Sequence, residues 1–92
     1  MFGCIRLHEI VYERVLRRKQ PKESLGDAIS RIMENTTFIN IETDMDFKKY
    51  DQINVTVQTT LRNKLNEIRT QNGNKFSYST VIWSVIENEY NN

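Results

Sequence analysis

At 92 residues the chain has room for one small domain, whose core is adequate only if its elements interlock closely. Hydrophobic residues make up 38% and charged residues 27%, with a formal net charge of +1, so the sum of charges neither favours nor excludes nucleic acid and only its distribution can. No apolar run approaches the roughly 20 residues of a membrane span, and no charged start, apolar stretch and small-residue cleavage site mark a signal peptide. The single cysteine, Cys4, has no partner for an internal disulfide, which fits a reducing, intracellular home.

In chain order, residues 2–7 predict a short strand with Ile5 and Leu7 on one face and Phe2, Cys4 and Arg6 on the other. Residues 9–19 predict a helix with Val11, Val15 and Tyr12 inward and Arg17, Arg18 and Lys19 in its last turn, a favourable place for cations. His8 is placed to help start that helix. Pro21 forces a loop. Ser24 then caps a second helix, with Asp27 close to a capping-box position and Leu25, Ala28, Ile29, Ile32 and Met33 as its buried stripe.

Residues 35–51 join this half to the next. They contain no Gly or Pro and too many apolar residues for a plain solvated linker. Phe38, Ile39, Ile41, Phe47 and Tyr50 are expected to pack on the core or a neighbour, and Thr37 to Thr43 has the β-branched character of a short extra strand. The acidic cluster of Glu42, Asp44 and Asp46 makes this segment a poor DNA contact.

From Ile53 the pattern starts again. Ile53-Asn54-Val55-Thr56-Val57 alternates with period two, so Ile53, Val55 and Val57 face inward and Gln52, Asn54 and Thr56 outward. Leu61, Leu65 and Ile68 recur at helical spacing, Asn72-Gly73-Asn74 breaks the run, and Val81, Ile82, Val85, Ile86 and Tyr90 recur again behind Ser77. Trp83 reads as core or interface. Ile5, Leu7, Val11 and Val15 match Val55, Val57, Leu61 and Leu65 at an offset of 50. Ser24, Ile29 and Ile32 match Ser77, Ile82 and Val85 at an offset of 53, a shift expected from a longer second loop. The chain therefore reads as a doubled strand-helix-helix unit, and a lone short strand in either half would leave its backbone groups unpaired.

Each half resembles a ribbon-helix-helix DNA-binding unit. The second half carries the likeness in Ile53-Asn54-Val55-Thr56-Val57, Leu61, Leu65, Gly73 and Phe76-Ser77-Tyr78-Ser79-Thr80-Val81-Ile82. The first half is similar to antitoxin-type members in Ile5-Arg6-Leu7, Val11-Tyr12-Glu13 and Glu23-Ser24-Leu25-Gly26-Asp27-Ala28-Ile29. Two units in one chain resemble tandem regulators of some archaeal viruses. The resemblance implies a mainly α fold with a short β-ribbon, in the order β-α-α-linker-β-α-α. Residues 1–34 would form the first unit, 35–51 the connection and 52–92 the second, with a two-stranded antiparallel ribbon on four helices. In the family such a ribbon enters the DNA major groove, which is wide enough to admit it.

Chemistry then sorts the residues. Arg6, Asn54 and Gln52 are types that hydrogen-bond guanine or adenine edges in pairs, and Thr56 offers a hydroxyl or a methyl. Cys4 shares their face, as a contact or as a small space-filler. Phe2 either packs on the ribbon edge or touches a base. The same outward residues also suit a merely solvated strand face. The starts of the second helices, Ser24-Leu25 and Ser77-Tyr78-Ser79, offer amides to phosphates beyond their capping role, and Lys22 and Lys75 flank them. The basic run Arg14, Arg17, Arg18 and Lys19 fits a solvated face. Neither a zinc set nor a phosphate-cradling loop nor a nucleophile-base arrangement is present in the sequence, so neither enzyme activity nor a cofactor or metal is expected. The expected function is sequence-specific DNA binding by a transcriptional regulator, a repressor, on double-stranded DNA. Homo-oligomers of the pseudo-dimeric chain would cover longer repeats. The alternative is an antitoxin whose connection or C-terminal tail neutralises a toxin partner.

Overall fold

The computed structural model describes residues 1–34, 41 and 45–90, with 89 and 90 described by their backbone alone. The expected strand at 37–43, the packing of Phe38 and Ile39, the acidic pair Glu42 and Asp44, and the inward side of Tyr90 lie outside the described residues. The element order is β1 (Phe2–His8), α1 (Glu9–Arg18), α2 (Leu25–Met33), one 3-10 turn (Phe47–Lys49), β2 (Gln52–Gln58), α3 (Thr59–Gln71) and α4 (Tyr78–Tyr90). The result is a small domain of four helices on a two-stranded antiparallel sheet.

Period-two alternation builds the ribbon. Ile5 and Leu7 of β1 are buried, as are Val55 and Val57 of β2, while Ile53 is half-buried. The strands pair with Ile5 opposite Val55, Cys4 opposite Thr56, Arg6 opposite Asn54, Phe2 opposite Gln58 and His8 opposite Gln52. The ladder runs one bond further at each end. The Glu9 amide donates to the Asp51 carbonyl at 2.8 Å and the Thr59 amide to the Met1 carbonyl at 3.1 Å. These bonds occupy the first amide of α1 and of α3, neither of which has a side-chain cap. His8, expected to help start α1, holds the cap position without capping, because its ring is engaged elsewhere.

The second helix of each half packs on the strand of the other half, α2 on β2 and α4 on β1. Gly26 is what lets α2 come so close. A Cβ there would lie 2.7 Å from the Thr56 carbonyl oxygen, closer than real Cβ atoms approach. Ser79 holds the corresponding place in α4, fully buried, and its hydroxyl accepts the His8 backbone N–H at 2.7 Å. Val11 and Val15, Leu65 and Ile68, Ile29 and Met33, and Val81, Ile82 and Ile86 close the core, each at most 1% exposed. Each such side chain contributes about 1.5–3 kcal/mol by leaving water.

The connections correct one expectation. The offset grows from 50 to 53 because α3 has 13 residues against 10 in α1, while the segments 19–24 and 72–77 are equally long. Pro21 disfavours helical geometry at Gln20, so α1 stops at Arg18. No proline follows α3, which runs until Gly73 adopts φ +81° and Asn74 φ 57°. There the Asn74 amide donates to the Arg69 carbonyl at 2.8 Å and the Gly73 amide to Thr70 at 3.1 Å, the paired bonds of a Schellman end. The first connection is held by Glu23 instead. Its carboxylate accepts from Arg31 Nε at 2.9 Å and from the Gln20 amide at 3.1 Å.

The joining segment is anchored where it is described. Ile41 and Phe47 are buried, Tyr50 is half-buried, and the Ile41 amide donates to Asn72 Oδ1 at 3.2 Å. Phe47 stacks beside His8 at 5.3 Å and meets Trp83 edge-on at 5.9 Å. Trp83 is 6% exposed, and Arg14 covers its ring at 5.1 Å. Arg14 of the basic run is thus a ring contact as well as a charge.

Candidate nucleic-acid interface

The face of the ribbon away from the helices carries Phe2, Cys4 and Arg6 from β1 and Gln52, Asn54, Thr56 and Gln58 from β2, all exposed. All five residues expected as base contacts, Arg6, Cys4, Gln52, Asn54 and Thr56, lie on this one face. Among the described residues the side chains of Arg6, Asn54 and Thr56 make no hydrogen bond or ion pair. Gln52 differs, since its Nε2 lies 3.3 Å from His8 Nε2 at the ribbon end. Gln58 joins the face unexpectedly, although the same alternation that exposes Gln52 and Asn54 continues to it.

The two second-helix starts differ in chemistry. At α2, Ser24 accepts the Asp27 amide at 3.1 Å, as its capping pattern predicts, and Leu25 is half-buried. Lys22 is exposed, but Asp27 puts a carboxylate in the first turn and Glu23 pairs with Arg31 just before it. At α4, Ser77 accepts the Thr80 amide at 3.2 Å, the first turn has no acidic residue, and Lys75 is exposed. Arginines surround this end. Arg69 stacks over the Tyr78 ring at 4.6 Å and donates through Nε to the Phe76 carbonyl at 2.7 Å. The Tyr78 hydroxyl donates to Asn66 Oδ1 at 2.8 Å. Burial pushes the Tyr78 hydroxyl up, but the Arg62 hydrogen bond and the charges of Arg69 and Arg62 outweigh it and leave the group below its ordinary 10.0.

Ser79 stands apart from the other expected phosphate contacts. It is fully buried, with the His8 backbone N–H at 2.7 Å and His8 Nδ1 at 2.9 Å from its hydroxyl. A small polar residue in the first turn reads from sequence as a surface anchor. Here the close approach of α4 to β1 turns it inward. Arg62 and Arg69 are further residues that sequence reasoning does not single out. Arg62 reaches back to the helix-side face of the ribbon, where a Cβ on Gly3 would meet its Nη1 at 3.3 Å. Nothing in a helical run marks which of its arginines will do so.

Among the described residues no cluster of His, Cys, Asp and Glu is arranged to hold a metal ion, and no helix is long and apolar enough to cross a membrane. Neither a protein-family model nor a curated protein nor a solved structure matches the chain.

Proposed function

We propose that this chain is a sequence-specific DNA-binding transcriptional regulator, a repressor, built as two ribbon-helix-helix units that fold into one pseudo-dimer. The supporting observation is the outward face of the ribbon. It presents a guanidinium, amides and a hydroxyl on a two-stranded platform of the width a major groove accepts. The register adds to the case for two units. Ile5 faces Val55, the position that the offset of 50 makes its equivalent, so the flanking pairs exchange partners about that point. The bonds from Glu9 to Asp51 and from Thr59 to Met1 are related by the same offset.

In this reading the ribbon lies in the groove with Arg6, Asn54, Thr56, Cys4 and Gln52 toward base edges. The starts of α2 and α4 rest on the flanking phosphates, with Lys22 and Lys75 adding charge. The α4 end is the firmer anchor, since no carboxylate of its own first turn repels a phosphate there.

Fluorescence anisotropy with labelled duplex across a salt series tests the proposal. Affinity should fall steeply as salt rises, by about 0.9 in the log-log slope for each phosphate neutralised. A response to duplex that is absent at low salt, or that ignores salt, rules out this function.

A further inference from the structure

Resting on the DNA-binding reading, we propose that the ribbon is chemically polar along its length, so that each chain reads a directional, non-palindromic site with guanine and adenine at one end and thymine at the other. The register carries this. Arg6 lies opposite Asn54, so the guanidinium and the amide fall on the same side of the Ile5–Val55 pair. On the other side lie Cys4 opposite Thr56 and then Phe2 opposite Gln58. Had the two halves been alike, each side would carry the same pair of side chains. Instead one end holds paired hydrogen-bonding groups, and the other holds a thiol, a methyl-bearing hydroxyl and a phenyl ring with the Gln58 amide opposite it.

The chemistry of each end selects a different base. Arginine matches the two acceptors of guanine, and asparagine matches the donor and acceptor of adenine. A thymine presents a methyl group in the major groove, and the Thr56 methyl and the Phe2 ring are apolar partners for it. Phe2 is 69% exposed, an apolar surface for which the core offers no use. Successive outward residues stand about 6.8 Å apart along a strand, and stacked bases about 3.4 Å apart, so neighbouring rows of the ribbon address positions about two base steps apart. The guanine-adenine element and the thymine element should therefore lie within one run of about six base pairs.

Selection from a random duplex pool with the full chain, followed by sequencing, tests the inference. The expected consensus contains a unit unlike its own reverse complement, with guanine and adenine at one end and thymine at the other. If chains assemble further, that unit should recur as an inverted repeat and keep its internal direction. Arg6→Ala should lose roughly 5- to 150-fold of the preference for guanine at one position and leave the thymine preference intact. Thr56→Ser, which removes a methyl and keeps the hydroxyl, should relax only the thymine position. Salt-dependent binding to a unit that is palindromic, or one in which both variants alter the same position, overturns the directional inference while the DNA-binding reading stands. Absence of any salt-dependent duplex binding overturns both.

Discussion

Single residues decide how close the parts come. Gly26 lies in the first turn of α2, where alanine would ordinarily gain up to about 1 kcal/mol in propensity. Against that stands a backbone carbonyl 2.7 Å from where the new carbon would sit, and backbone yields poorly. The clash should win, so Gly26→Ala is expected to destabilise by about 1–3 kcal/mol in urea unfolding. A neutral or stabilising result would mean that α2 can move off β2. Glu23 supplies a pH test. The Arg31 hydrogen bond, then the Gln20 amide, holds its carboxyl below the ordinary 4.5. The folded value is the lower one, so the stabilisation is fully present above the unfolded value and is lost as pH falls through the folded value. Glu23→Gln should therefore melt below the parent at neutral pH, and the gap should close as pH drops below 4.5. A gap unchanged at low pH would refute the assignment. On the ribbon, Arg6→Ala should lose base preference while Lys75→Ala weakens all duplexes alike and lowers the salt slope by about 0.9, as competition binding on specific and random duplex would report.

Elements show what can be read in advance. Both strands, their inward faces and the buried stripes of α1, α2 and α3 follow from periodicity, because burial on one face is what periodicity records, whereas α4 is buried all round from Ser79 to Ile86. The Ser24 cap is legible for the same local reason. Three features read otherwise than they fold. The extra residues of the second half read as loop and are helix, although the breaks at Pro21 and at Asn72-Gly73-Asn74 already mark where the two helices end. His8 reads as a helix starter and instead joins Ser79 and Phe47, contacts made across the fold. Ser79 reads as exposed and is buried by a helix-strand approach that no local pattern encodes. The outward ribbon face needs only strand alternation, whereas the arginines around Tyr78 need the tertiary packing of α3 on α4. The α3 end itself can be tested. Gly73→Ala places a side chain at φ +81° and should cost roughly 1–2 kcal/mol by chemical denaturation, with the fold retained.

For the molecule as a whole, the ribbon is completed inside one chain. Stability should then be a property of the single chain, and the melting temperature should stay constant over a hundredfold range of protein concentration. A melting temperature that climbs with concentration would point to strands exchanged between chains. The account's central claim is that the outward face of this ribbon enters the DNA groove. Titrating isotope-labelled protein with duplex and following backbone amide shifts by NMR tests it most directly. The claim predicts that the largest shifts fall in residues 2–8 and 52–58 and at the starts of α2 and α4. Large shifts confined to α1 and the outer side of α3, with the ribbon unmoved, would contradict it.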